Sequence, residues 1–395
     1  MKLLHILHSL SPASGGPAEG VRQMSRHLAN LGVETTAASL DPPNAPWLKD
    51  HEFPTVALGP ALGAYGYRRA LPARIRELAQ QHDHVLIHDM WQYNAFAAWR
   101  ALRGTGIPYY VYPHGMLDPW FKHTYPLKHL KKWAYWPWAG YRLLRDAEAV
   151  LFTTEQERVL ARESFWLYQA RERVIGYGTS APTGDANRQR QMFLNRFPEL
   201  TGKRVLLFLS RIHPKKGIDL LIDAFAAVAS TDPALHLVIA GPDQVGLQAS
   251  LQQQAAKLGI ANRILWPGML SGDLKWGAYR TAELFCLPSH QENFGIVVTE
   301  ALACSLPVAI TKPVNISAEV EAAGAGIVHA DTAVDTTEAL RIWLRLSGNE
   351  KQEMGKCALQ LFQNRFDFAA VAKILIPVLE ASHANSSEAA VQTIG

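Results

Sequence analysis

Short apolar runs separated by segments of helical period recur in two series along this chain, and few folds accept that pattern. Residues 2–7 read as a strand, followed by a Gly-Gly turn and a helix over 18–31; further strands fit 85–88, 109–112 and 149–153. After Gly202 the series restarts, with strands over 204–210 and 236–240, helices over 218–229 and 247–258, and strands over 263–266, 284–287 and 307–310. Apolar runs without polar alternation suit strands covered on both faces, and intervening helices imply parallel pairing. The expected fold class is α/β: two Rossmann-like doubly wound domains, each with its loops at the carboxyl ends of the strands. A length of 395 residues also favours two cores over one. The first domain is expected over 1–178 and a linker rich in Gly, Ser, Thr, Arg and Gln over 179–202. The second is expected over 203–366, a helix over 367–382, and a small, polar, poorly ordered tail over 383–395.

Composition narrows the classes further. Apolar residues make up 48% and charged residues 19%, which is globular, and a net charge of +4 is small for this length and does not suggest a nucleic-acid binder. Three cysteines, Cys286, Cys304 and Cys357, are odd in number and sit in apolar settings, so a reduced, cytoplasmic location is expected. His5 and His8 interrupt the apolar start, which does not read as a signal peptide, and no stretch is apolar enough to span a membrane.

Chemistry concentrates in Pro288-Ser289-His290-Gln291-Glu292-Asn293-Phe294-Gly295-Ile296-Val297-Val298-Thr299-Glu300. Two carboxylates lie eight positions apart around Asn-Phe-Gly, where a buried strand ends and a helix begins. Gly295 permits close backbone approach, and the free N–H groups of a new helix favour an anion. Glu292 would face a ligand from the loop, and Glu300 would lie in the first turns of the helix. A loop carboxylate can bind sugar hydroxyls while the helix end holds a phosphate. Upstream, Ser210-Arg211-Ile212-His213-Pro214-Lys215-Lys216-Gly217 follows the first strand of the second series. Arg211 can grip two phosphate oxygens and Lys216 adds a compact charge, whereas Lys215 reads as surface.

Together these segments resemble the retaining glycosyltransferases of family four. That resemblance implies a GT-B architecture, two facing Rossmann-like domains with an interdomain cleft, and a C-terminal helix returning to the first domain. It also implies a nucleotide diphosphate sugar as donor, with Arg211 and Lys216 on the diphosphate and Glu292, Asn293, Phe294 and Gly295 at the donor sugar. Glu300 falls on the ribose hydroxyls. The base, uracil or guanine, would be read by backbone around Gly268, Met269 and Leu270. In the first series the resemblance places Gly15 and Gly16 near the diphosphate. His114, in Tyr112-Pro113-His114-Gly115-Met116-Leu117-Asp118-Pro119-Trp120, falls near the anomeric carbon and the acceptor. His88, Asp89 and Trp91, together with Asp118, would line the acceptor side by position. The linker departs from the family, with Gly176-Tyr177-Gly178 replacing its usual turn. That glycine pattern lacks the helix and acid of a dinucleotide site and reads as a hinge.

The expected activity is transfer of a hexose from a UDP- or GDP-sugar to a saccharide or lipid-linked saccharide in polysaccharide assembly, with retained configuration. No cofactor beyond the donor is expected. No Asp-x-Asp or His/Cys cluster offers metal-ligand spacing, so no metal is expected either. Two alternatives stay open: an inactive nucleotide-sugar-binding subunit, and an epimerase on the same architecture. Residues 121–145 carry six Lys/Arg, no acid, and Trp133, Trp136 and Trp138. This composition suits either an anionic membrane surface or a solvated helix over ordinary core tryptophans.

Overall fold

The computed structural model describes residues 1–14 and 16–392, with side chains described except at 13 and 382–392. Two compact units result, one formed by Met1–Gly178 with the segment from Phe368 onward, the other by Thr179–Asp367.

The first unit is built on a seven-stranded, wholly parallel sheet: β1 (Lys2–Leu7), β2 (Glu34–Ser39), β3 (Thr55–Ala57), β4 (His84–Ile87), β5 (Tyr109–Val111), β6 (Ala149–Phe152) and β7 (Glu172–Val174). Their order is β3-β2-β1-β4-β5-β6-β7. The strand order reverses between β1 and β4, and a doubly wound sheet opens a crevice at that point. Strands β4, β5 and β6 are buried throughout, as their unbroken apolar sequence requires. The helix expected over 18–31 runs Gly16–Ala29.

The second unit holds six parallel strands: β8 (Arg204–Leu209), β9 (Leu235–Ala240), β10 (Ile264–Gly268), β11 (Leu284–Leu287), β12 (Val308–Thr311) and β13 (Gly326–His329). They lie in the order β10-β9-β8-β11-β12-β13, with the reversal between β8 and β11. The loops after β8 and β11 are therefore neighbours, and they carry the two motifs picked out above.

Two expectations change. Residues 179–202 are no loose linker: the helix Ala186–Arg196 packs on the helix Gly272–Thr281 and belongs to the second unit. Its Gln189 is buried and hydrogen-bonds Asp273 Oδ1 at 2.9 Å and Arg280 Nε at 2.9 Å. A Cβ on Gly277 would lie 2.3 Å from the Gln189 carbonyl, which is why the crossing takes glycine. The last helix spans Phe368–Gln392, so residues 383–392 of the expected tail are helical; 393–395 lie outside the described residues.

Among the tryptophans of 121–145, Trp136 is a core residue, fully buried against Phe165 with its Nε1 donating to the Leu167 carbonyl at 2.7 Å. Trp133 and Trp138 are about half exposed.

Candidate active site

In the second unit the loop after β8 turns at Gly217, whose φ of +62° is open to glycine without strain. Arg211 is exposed, and Lys215 is half-buried rather than at the surface. Lys216 is buried, and its Nζ forms an ion pair with Glu292 Oε2. The two motifs, 76 residues apart, thus meet through a charge-assisted hydrogen bond.

The loop after β11 is held from a third side. The Glu292 N–H donates to the Pro313 carbonyl at 3.1 Å, and the Glu292 carbonyl accepts from Asn315 N at 3.0 Å. Asn315 Nδ2 reaches Asn293 Oδ1 at 3.5 Å. Phe294 is buried edge-on against Phe366 at 5.6 Å, so its side chain anchors the loop and only its backbone can serve a ligand. Gly295, at φ +78°, then opens the helix Ile296–Ala303. On that helix Glu300 is buried, accepting from Lys275 Nζ at 2.7 Å and from the Tyr279 hydroxyl at 2.9 Å. Lys275 and Tyr279 stand four apart on the helix Gly272–Thr281, so both reach one carboxylate. Burial first, then the Glu300 charge, holds the Tyr279 hydroxyl far above its ordinary pKa, so it remains a donor. Reading the sequence alone missed Lys275, Tyr279, Asn315 and the 313–315 clamp. Met269 is exposed and Leu270 half-buried, beyond the end of β10.

In the first unit the loop after β1 leads into the helix Gly16–Ala29; Gly15 lies outside the described residues. The Gly16 carbonyl accepts from the Tyr177 hydroxyl at 3.1 Å. The Gly-Tyr-Gly segment read as a hinge therefore supplies a packing residue: Tyr177 also meets His114 edge-on at 5.3 Å. His114 sits after β5 with φ +49°, unusual for a residue with a side chain. Its turn is fixed by Glu157, a buried acid that accepts from Gly115 N at 2.5 Å and from Thr153 N at 2.7 Å.

His88 is buried in a hydrogen-bonded row of imidazoles rather than lining an open pocket. Its Nε2 lies 2.9 Å from His5 Nδ1, and its Nδ1 lies 3.1 Å from His114 Nε2. Trp91 is half-buried, its Nε1 donating to the Met116 carbonyl at 3.3 Å. Asp118 is buried and accepts from Trp120 N at 2.8 Å, closing its own turn. Buried Asp89 accepts from Asn94 Nδ2 at 3.1 Å, and burial pushes its carboxyl up to about 6.

Burial also depresses the three imidazoles, His5 to about 3, His114 to about 4 and His88 well below its usual value. A depressed folded-state pKa contributes stability that is present above the unfolded value near 6.5 and lost as pH falls through the folded value. The raised Asp89 pKa has the opposite sign: its contribution is present below about 4 and lost as pH rises through about 6. Three groups oppose one, so the first unit is expected to have a lower denaturant midpoint at pH 5 than at pH 7. An equal or higher midpoint at pH 5 would contradict that assignment.

Compared with known proteins, residues 15–178 match the family described as "Glycosyl transferase 4-like domain" and residues 190–360 match "Glycosyl transferases group 1". A D-inositol 3-phosphate glycosyltransferase of Geodermatophilus obscurus is 42% identical over 111 residues, 26% of this chain and 25% of that protein. A mannosylfructose-phosphate synthase of Agrobacterium fabrum is 31% identical over 179 residues, 43% of this chain and 38% of the relative. The match thus spans well under half of each curated relative. Among solved structures, HepE of Anabaena in complex with UDP superposes with a TM-score of 0.77 at 18% identity, over 96% of this chain and 100% of that one. Sucrose-phosphate synthase of Thermosynechococcus elongatus gives 0.74 at 18% identity, over 97% and 99%. At such identities the likeness is one of fold, and the fold is GT-B.

Proposed function

We propose that this chain, which belongs to the GT4-type glycosyltransferases, moves a hexose from a nucleotide diphosphate sugar to a saccharide or lipid-linked saccharide, retaining configuration. The observation that carries this reading is the meeting of two loops at the β8/β11 reversal. It brings Lys216 onto Glu292 and places Glu300 one helical segment beyond Gly295. In the resting site Glu292 and Lys216 neutralise each other; an arriving donor would take over both, diphosphate to the lysine and sugar hydroxyls to the carboxylate. Arg211, exposed on the same loop, supplies a second cation. Charge growing on the diphosphate oxygen as the glycosidic bond breaks is then met by Arg211 and Lys216, without a metal. The freed diphosphate can take the acceptor's proton on the same sugar face, so no glycosidase-type carboxylate pair is required.

Calorimetry with UDP and GDP tests the donor half. One nucleotide is expected to bind, UDP being the first to try because HepE carries it. Glu300→Ala and Arg211→Ala are each expected to weaken it by about 10- to 100-fold, the worth of a hydrogen bond to a charged group. Binding of neither nucleotide would overturn the reading.

A lipid-linked acceptor, and a site of action at the inner face of a membrane, is favoured by one surface of the first unit. No side chain of the helix Pro126–Tyr135 is buried. Leu127 is 78% and Leu130 65% exposed, and Trp133 lies 6.2 Å from Trp166, itself 67% exposed. Lys122, Lys128 and Lys131 are exposed around them, whereas Lys132 tucks its Nζ over the Trp91 and Phe121 rings at 4.6 and 5.2 Å. Apolar side chains ringed by cations match an anionic lipid surface, each lysine adding about 1 kcal/mol there. No helix among the described residues is long and apolar enough to cross a membrane, so contact would be peripheral. The protein is expected to sediment with phosphatidylserine vesicles at low salt, and Leu127→Glu with Leu130→Glu to abolish it. Wild-type protein left in the supernatant would defeat the proposal.

A further inference from the structure

The row His5–His88–His114 runs across three adjacent strands. His5 lies inside β1 opposite Leu86 of β4, His88 just beyond β4, and His114 in the turn after β5. The rings are nearly parallel with centroids 5.2 and 5.4 Å apart, and they meet edge to edge through two nitrogen–nitrogen hydrogen bonds. From this geometry we infer that His5 and His88 are positioning residues that fix the tautomer of His114, so that His114 carries its proton on Nδ1 and offers an N–H donor there.

The argument is one of proton counting. A neutral imidazole has one N–H and one lone pair, so His88 donates in one of its two bonds and accepts in the other. Both bonds must therefore point the same way along the row. If they point inward, His114 Nε2–H donates to His88, His88 donates to His5 Nδ1, and the last N–H falls on His5 Nε2. That atom is buried and finds no hydrogen-bond partner among the described residues. If they point outward, His5 Nε2 keeps only a lone pair, His5 Nδ1–H donates to His88 Nε2, and His88 Nδ1–H donates to His114 Nε2. A buried N–H without an acceptor is rarer in folded proteins than an under-used acceptor, so the outward direction is favoured. His114 Nε2 then accepts, and the His114 proton must sit on Nδ1. Nothing else in the row can reverse this while the imidazoles stay neutral, the form that desolvation favours.

The functional consequence rests on the reading of His114 as a sugar contact. A neutral donor of fixed tautomer can hydrogen-bond a sugar oxygen without bringing a cation close to the oxocarbenium-like centre that forms as the leaving group departs. An imidazolium would oppose that charge. Residues His5 and His88 are proposed to act only through His114, and neither touches the sugar.

Two readouts separate the inference from the function it serves. Long-range ¹⁵N–¹H correlation on the full-length protein at pH 7 reports the tautomer of each histidine and requires neither substrate nor turnover. His114 is expected to be neutral with its proton on Nδ1, and His88 likewise. His114 protonated on Nε2, or on both nitrogens, would overturn the inference whatever the activity. His88→Phe keeps a planar ring and removes both nitrogens; it is expected to release His114 toward the Nε2–H form and lower kcat at least tenfold, with KM for the donor changed less than threefold. His5→Phe, which leaves the His88–His114 bond in place, is expected to give a smaller fall of the same kind. A His114 tautomer unmoved by His88→Phe would overturn the positioning role. The expected tautomer with unchanged kcat in His88→Phe would leave the relay standing and sink the role of His114 in transfer.

Discussion

Lys216→Ala is expected to lower kcat by about 100- to 1,000-fold, the usual cost of removing one preorganised group that stabilises charge in a transition state. Two features support so large an effect. Lys216 is almost fully withdrawn from water, so its charge acts on a ligand with little screening. It is also held in place by Glu292 rather than left to search among rotamers. The same pairing creates a rival explanation, that the lysine is there only to neutralise Glu292. A double-variant cycle separates the two. If the pair serves the fold alone, Lys216→Ala and Glu292→Ala lower the denaturation midpoint singly, and the double variant recovers both stability and turnover. If the pair serves the donor, stability recovers and turnover does not; UDP, which carries no sugar, then isolates the lysine's share, its binding weakening in Lys216→Ala and not in Glu292→Ala. Full activity of Lys216→Ala would remove the lysine from the mechanism.

Gly217→Ala is expected to cost about 2–5 kcal/mol of stability to the second unit, from left-handed backbone strain of roughly 1–2 kcal/mol and overpacking of roughly 1–3 kcal/mol. The second term has a specific origin: a Cβ there would sit 2.0 Å from the Pro288 carbonyl oxygen. That carbonyl begins the loop after β11, so the contact can be relieved only by moving apart the segments that bear Lys216 and Glu292. Nucleotide binding should therefore weaken together with stability, which a substitution of an ordinary turn glycine would not cause. Gly202→Ala is the matched control, since its φ is +74° but nothing lies within 4 Å of its Cβ. Equal losses in the two variants would show that backbone strain alone decides, and that the close approach does not matter.

What could be read from the sequence follows a physical division. Strands β8 and β11 are continuous apolar runs that end in turn residues, and both loops announce their chemistry through charge beside glycine. β2, with the sequence Glu-Thr-Thr-Ala-Ala-Ser, and the three-residue β3 and β7 have no such signal. Their pairing is imposed by neighbours in the sheet. The helix Ala186–Arg196 reads as linker in the sequence because only Gln189 and Phe193 are buried along it, too few to show a period. Its cap was legible in principle, since Asp185 accepts from Arg188 N at 2.7 Å. At the candidate site, Glu292 and Glu300 stood out by spacing, whereas Lys275 and Tyr279 did not. They look like an ordinary exposed lysine and a core tyrosine until the fold brings the Glu300 carboxylate between them. Similarly, His5 read as a blemish in an apolar strand. Only the lateral order of β1, β4 and β5 shows that it backs His88.

The closing helix has a consequence for how the chain is made. Phe368, Val371, Ala372, Leu375 and Leu379 are fully buried, Phe368 lies edge-on to Tyr177, and the helix packs on the helix Gly16–Ala29. On the ribosome, the amino-terminal unit therefore waits for residues 368–379 to emerge before its core can close, while the unit encoded in between has every one of its strands in hand. A premature stop just after Asp367 would spare the later-made unit and leave the first-made one permanently unfinished.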